Sequence, residues 1–341
     1  MTKIWVEPRK LKYRFDIRLQ VAHRRKTPEW TLSQLMKVLA SLRTNKSRDA
    51  SGLIYELFKP GVAGEDVIHS LLMLINMMKK ECQIPDFMKT VQITSIYKNK
   101  GSKADLSNER GIFNVNKVRS IVDKLIYKDT YEFIDSEMSD SNVGGRRGRN
   151  VRDNLFVAYS VINYATNNKL ETDVTSYDLK QAFDSLWEKE IMNDLWDVKV
   201  QDDKFALIYE MNKECVVTVK TPVGETKPFT LNEIEMQGSV LAPLKCSVQT
   251  DTVGRYSYLN NKKYTFVYKN SVFIPPLWMI DDCITFALCG YKSIMMNELI
   301  NSNIAMKKLQ LSEDKCKNIH MGIKYDSCCD LKVRDSKHKN T

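Results

Sequence analysis

The stretch Leu277-Trp278-Met279-Ile280-Asp281-Asp282-Cys283-Ile284-Thr285-Phe286 sets two adjacent acids in the middle of an apolar, β-prone run. A strand sends successive side chains to opposite faces, so an unbroken strand would point one carboxylate each way. A hairpin with the acids at its tip avoids that. Trp278 to Ile280 would run up, Cys283 to Phe286 would run down, and both carboxylates would project from the turn. Paired acids at the end of a buried hairpin suit divalent cations, which take oxygen ligands. Taken alone, an Asp-Asp pair is more often an ordinary surface turn.

A second acidic element changes that balance. Ser176-Tyr177-Asp178-Leu179-Lys180-Gln181-Ala182-Phe183-Asp184 places Asp178 at the end of a predicted strand, just before a predicted helix. Two-metal nucleotidyl transfer needs carboxylates from separate elements converging on a site about 4 Å across. A strand-end acid and a hairpin-tip pair can supply them. Asp184 reads more simply as a cap or turn residue at the helix start, and Phe183 either as packing or as a substrate contact.

Composition sets the outer bounds. The 341 residues suffice for about two domains with a substantial core. Lys plus Arg outnumber Asp plus Glu by 52 to 42, a net charge of +10 that is compatible with a polyanionic partner. The eight cysteines include no C-x-x-C spacing and no Cys-His cluster of zinc-ligand rhythm, which favours small buried thiols in a reducing compartment. The basic start, Met1 to Lys26, lacks an apolar signal core, and no run approaches the roughly 18 apolar residues of a membrane span. The expectation is an intracellular protein, nuclear or cytoplasmic, neither secreted nor membrane-bound.

Residues 1–30 are basic and mixed. Thr31 predicts an N-cap for a helix carrying Leu32, Leu35, Met36, Leu39 and Leu42, and a longer helix is expected over 65–82. Val91 to Lys98 reads as a strand leading into the basic loop Lys98-Asn99-Lys100-Gly101-Ser102-Lys103. Helical patterns follow from Val118 to about 137 and from Leu155 to Tyr164. Between them lies a second basic loop, Gly144-Gly145-Arg146-Arg147-Gly148-Arg149-Asn150-Val151-Arg152. Glycines admit close backbone approach and arginines supply phosphate contacts, so two such loops favour a polyanion site. Further on, a strand over Val174 to Leu179, a helix start at 180–187, a hairpin around Pro222-Val223-Gly224-Glu225, a helix opened by Met236 to Leu244, a helix over Met295 to Leu309 and a strand at Ile319 to Ile323 complete the pattern. Without regular β-α alternation, α+β is favoured over a doubly wound sheet.

The order Asp178-x-x-x-Ala182-Phe183-Asp184, Gln237-Gly238-x-x-Leu241-x-Pro243 and Asp281-Asp282 resembles the palm of reverse transcriptases, and among them the non-LTR (LINE-type) retrotransposon enzymes. Gly52-x-x-x-Glu56, Ile96-x-Lys98-x-Lys100-Gly101, Ser107-Asn108-x-Arg110-x-Ile112, Gly148-Arg149-x-x-x-Asp153 and Leu309-x-Leu311-Ser312-x-x-Lys315 agree with it, so the resemblance covers residues 45–322. It implies fingers and palm of a right-hand polymerase, an antiparallel palm sheet packed on helices. The implied segments are a basic extension with first helix (1–44), fingers with the start of the palm (45–165), palm (166–323) and a polar tail (324–341). Asp178 and Asp281 become the expected principal Mg²⁺ ligands, with Asp282 supporting and the Leu179 carbonyl completing a shell. Two Mg²⁺ ions are expected, with Mn²⁺ as a substitute. Lys98 and Arg110 would hold the incoming triphosphate, Phe183 would exclude a ribose 2′-hydroxyl, Gln237 and Gly238 would line the templating pair, and Lys315 would protonate the leaving pyrophosphate. Arg146, Arg147, Arg149 and Arg152 are expected on the template backbone. The partners implied are an RNA template, a DNA primer and dNTPs.

The sequence departs from the family in places. Met279-Ile280 replace the usual aromatic and Ala before the acids, Pro275-Pro276 precede the hairpin, Arg110-Gly111-Ile112 replaces Arg-Pro-Ile, and Gly144-Gly145 replaces Gly-Phe. The nineteen residues after Gly322 are too few and too polar for a thumb. Two readings follow: a polymerase domain of a retroelement, or an inactive, repurposed palm-and-fingers domain that binds nucleic acid without extending it.

Overall fold

The computed structural model describes residues 8–99, 101–102, 105, 108–180, 187–221, 224–231, 236, 238–259, 261–288 and 290–322. Its first elements are helices α1 (Pro8–Arg24), α2 (Leu32–Ala40) and α3 (Glu65–Glu81), strands β1 (Thr90–Tyr97) and β2 (Glu109–Asn114), and helix α4 (Lys117–Glu137). Next come α5 (Val151–Asn167), β3 (Thr172–Asp178), α6 (Glu188–Asp197), α7 (Asp203–Asn212), β4 (Cys215–Thr221), β5 (Gly224–Glu225) and β6 (Phe229–Leu231). The chain continues through α8 (Ala242–Tyr258), β7 (Val267–Tyr268), β8 (Val272–Phe273), β9 (Leu277–Met279), β10 (Asp282–Leu288), α9 (Tyr291–Met306) and β11 (Lys317–Met321). The fold is mixed α+β, with sheets packed on helices, as the pattern predicts. It divides into two units: residues 1–136 with 195–242, and residues 137–194 with 243–341.

In the first unit Thr31 caps α2 as expected. Its hydroxyl accepts from the Gln34 N–H at 3.2 Å while Gln34 accepts from the Thr31 N–H at 2.8 Å, so two orphan helix donors are satisfied reciprocally. The basic N-terminal segment is helical: α1 buries Phe15 against the rings of Phe205 and Tyr209, and Arg18 pairs with Asp197 at 2.5 Å. The sheet runs β2-β1-β4-β5, with β6 also on β4. β1 is antiparallel to β2 and parallel to β4, and the apolar residues Val91, Phe113, Val115, Cys215, Val217 and Met236 form its core.

The second unit is built on an antiparallel sheet of order β11-β3-β10-β9. Val174 on β3 and Ile284, Phe286 and Leu288 on β10 pack against Ala158, Val161 and Ala165 of α5. Tyr177 points the other way, where its hydroxyl bonds Asn297 of α9. Prolines 275 and 276 precede β9, which is an edge strand, so their missing N–H groups break no ladder. Among the described residues no helix is long and apolar enough to cross a membrane.

Candidate functional site

Register brings two of the expected acids face to face. Asp282 pairs directly with Asp178 across β10 and β3, and opposed residues of antiparallel strands point to the same side. That side is the one α5 covers farther along, where Phe286 opposes Val174. The hairpin forms as its sequence predicts, though its tip is shifted by one residue. Met279 opposes Asp282, so Ile280 and Asp281 make the two-residue turn and Asp282 already belongs to the strand. Ile280 has φ +58°, a conformation that strains a β-branched side chain. The Leu179 N–H donates to the Asp281 carbonyl at 3.1 Å, tying the end of β3 to the turn.

Lys315 completes this group. Its segment is clipped to β3 by backbone bonds: the Ser312 N–H donates to the Asp178 carbonyl at 2.8 Å and the Lys180 N–H to the Gln310 carbonyl at 2.8 Å. The Lys315 N–H then bonds back to the Ser312 carbonyl at 3.0 Å. From there the ammonium reaches both oxygens of Asp178, at 2.7 and 2.9 Å. The bond to Asp178 holds the Lys315 ammonium above its usual range. Burial, then Asp281, then Asp178, push the Asp282 carboxyl up from the ordinary 3.8, while Lys315 opposes them. A crowd of carboxylate oxygens is a donor set for a hard divalent cation. Asp178, Asp281 and Asp282 therefore fit such an ion in chemistry. Among the described residues, however, no three His, Cys, Asp or Glu converge into a ready cluster, and the Lys315 cation sits on Asp178.

Behind the acids stands a support that sequence reading did not find. Asn142 is fully buried; its amide donates to the Ser247 carbonyl at 2.9 Å and to the Thr250 hydroxyl at 3.2 Å, and its oxygen accepts from the Gly144 N–H at 3.1 Å. Trp278 of β9 donates its N–H to Ser141 and accepts from Val143 and from the Asn154 amide. Gly144 lies so close to the turn that a Cβ there would stand 2.5 Å from the Ile280 nitrogen. Gly145, where the family pattern has the aromatic, takes φ +63°, and a Cβ there would stand 3.2 Å from the Pro243 carbonyl oxygen. No local periodicity marks Asn142; it sits in a polar run of ordinary loop composition.

The arginines of that loop divide. Arg146 is buried and donates to the carbonyls of Ser139 at 2.6 Å and Asn142 at 2.8 Å, so it holds the loop's own backbone. Arg149 pairs with Asp140 at 2.5 Å, whereas Arg147 and Arg152 are exposed. In the other unit, Lys98 follows β1, exposed, with its N–H on the Asn108 carbonyl at 2.8 Å. Arg110 is exposed on β2 opposite Ile96. Gly238, at φ +129°, approaches β2 so closely that a Cβ would stand 2.3 Å from the Phe113 oxygen. Phe183 and Gln237 lie outside the described residues.

Residues 98–331, which include every one of these candidate positions, match the family model described as reverse transcriptase (RNA-dependent DNA polymerase). Comparison with curated proteins gives no match.

Proposed function

The chain belongs to the reverse transcriptase family, and from that premise we propose that it is the RNA-directed DNA polymerase domain of a non-LTR (LINE-type) retroelement, extending a DNA primer on an RNA template. The observation that carries the reading is the register of Asp178 against Asp282, with Asp281 in the turn beside them. Asp178, Asp281 and Asp282 would hold two Mg²⁺ ions, with the Leu179 carbonyl as a further oxygen. Such ions supply activation of the primer 3′-hydroxyl and neutralisation of the phosphate charge. Lys315 would protonate the departing pyrophosphate. Lys98 and Arg110 neutralise the incoming triphosphate, Phe183 closes the space of a 2′-hydroxyl, and Gln237 and Gly238 line the templating pair. On this reading the second unit serves as palm and the first as fingers.

Two observations favour a second reading, in which the domain binds nucleic acid without extending it: the turn is strained at Ile280, and Lys315 is paired with Asp178. Primer extension on an RNA template with Mg²⁺ and dNTPs decides between them. Extension by the native chain, abolished by Asp178→Ala and by Asp281→Ala, supports the polymerase; full activity in either variant removes the metal assignment. Phe183→Val should admit ribonucleotides, and unchanged sugar discrimination would remove the gate.

A further inference from the structure

Between Asp251 and Asp281 the chain carries no acid, yet it holds Arg255, Lys262, Lys263 and Lys269 together with Tyr256, Tyr258, Tyr264 and Tyr268. In the second unit three of these lysines, 262, 263 and 269, lie over tyrosine rings, while Arg255 is paired with Asp251. The end of α8 leads into a short helical turn, Lys262–Tyr264, and then into the β7–β8 ribbon. Lys262 lies over the Tyr258 ring at 5.4 Å, Lys263 over Tyr264 at 4.9 Å and Lys269 over Tyr268 at 5.5 Å. The Tyr258 hydroxyl donates to the Phe273 carbonyl at 3.2 Å, and the Tyr264 ring meets Tyr291 edge-on at 6.0 Å. Tyr291 is 65% exposed and is followed by Lys292; Glu298, further along α9, is the carboxylate felt at Tyr291.

The surface is anchored to the sheet that bears the acids. Phe266 donates its N–H to the Phe286 carbonyl of β10 at 2.8 Å, and Ile274 donates to Phe266 at 2.9 Å, while both side chains are buried against α5. Phe286 lies four positions beyond Asp282, about 13 Å along β10. At the ribbon's tip, Lys269 and Asn270 both take positive φ, and the Ser271 N–H closes the turn on the Tyr268 carbonyl at 3.2 Å.

We propose that this lysine-tyrosine surface is a binding site for single-stranded nucleic acid, its lysines on the phosphates and its exposed tyrosines under the bases. Each exposed cation-π contact is worth only about 0.5–1 kcal/mol. A lysine can therefore leave its ring for a phosphate and open the ring face to a base. Phosphate neutralisation combined with stacking is the chemistry of sequence-tolerant strand binding. The absence of acids over the whole segment is the charge complementarity that such a strand needs. The inference stands on this surface and not on the chemistry of the acids.

The test is fluorescence anisotropy with a fluorescein-labelled, unstructured 20-nucleotide RNA and its DNA counterpart, without nucleotides or divalent metal. Failure of primer extension therefore leaves the result untouched. The triple variant Lys262→Gln, Lys263→Gln, Lys269→Asn should weaken binding about tenfold and flatten the slope of log K against log salt by about 2, since each lost phosphate contact on a single strand is worth about 0.7. Asn is chosen at 269 because it tolerates the positive φ. The pair Tyr264→Leu, Tyr291→Leu should weaken binding several-fold with the slope unchanged. Photocrosslinking with 4-thiouridine RNA should mark peptides from 256 to 273 or Tyr291. Binding within twofold of the native chain in both variants, or an absence of crosslinks there, overturns the proposal. So does a tyrosine pair that binds as the native chain does. Selective loss of binding to phosphatidylserine vesicles, with RNA binding intact, overturns it in favour of a lipid surface. Unchanged thermal unfolding confirms that each variant is folded.

Discussion

Asp282 faces Asp178 across the strands and adjoins Asp281 in the chain, and its carboxyl is pushed up by burial first and by those two charges next. Below the ordinary carboxylate value both folded and unfolded chains hold the proton, so no penalty arises. As pH rises through the raised folded value, the folded state must carry the unwelcome charge, and the penalty is complete above it. Asp282→Asn should therefore be more thermostable than the native chain at neutral pH without metal, with the difference closing as pH falls towards 3.8. Melting curves across that range check it; a gap independent of pH would show that the charge is not the cause. Arg146 yields a second prediction. With its guanidinium on two carbonyls, Arg146→Met should destabilise the chain by roughly 1–3 kcal/mol, read in urea unfolding. Full stability with weakened RNA binding would instead return Arg146 to the template-contact role expected from sequence.

Among the elements, the β9–β10 hairpin was legible because its apolar flanks and two adjacent acids leave few other conformations. Helix α2 announced itself through Thr31 and the spacing of Leu32, Leu35, Met36, Leu39 and Leu42, and the structure adds Gln34 as the reciprocal cap. Strand β2 was not legible. Glu109-Arg110-Gly111-Ile112-Phe113-Asn114 has neither clean alternation nor strong β-propensity, and it becomes a strand by pairing with β1. Helix α1 hid likewise behind its charge, and the β7–β8 ribbon behind its brevity. Close approach of elements is equally invisible in sequence, and it makes Gly144 critical. A methyl at 144 meets the Ile280 backbone, so Gly144→Ala should cost roughly 1–3 kcal/mol and disturb the acid-bearing turn. Unfolding midpoint and primer extension should fall together; an unaffected midpoint would mean that the turn yields freely.

At the scale of the molecule, neither unit is a continuous piece of chain. The first borrows residues 195–242 to supply β4, which lies beside β1 at the centre of its sheet and completes the core through Cys215 and Val217. A fragment of residues 1–136 should consequently lack cooperative thermal unfolding, whereas 1–136 mixed with a 195–242 peptide should regain it. A sharp transition in the fragment alone would make the borrowed strands dispensable. By itself the sequence determined the family and the α+β class and singled out the acids at 178, 281 and 282 as candidates, because short-range periodicity, turn chemistry and motif order are written in neighbouring residues. Only the tertiary structure decided that Asp178 opposes Asp282, that Lys315 crosses 137 positions to reach Asp178, and that Arg146 supports a loop. Those are outcomes of strand register and buried hydrogen bonding between distant segments, and no local pattern encodes them.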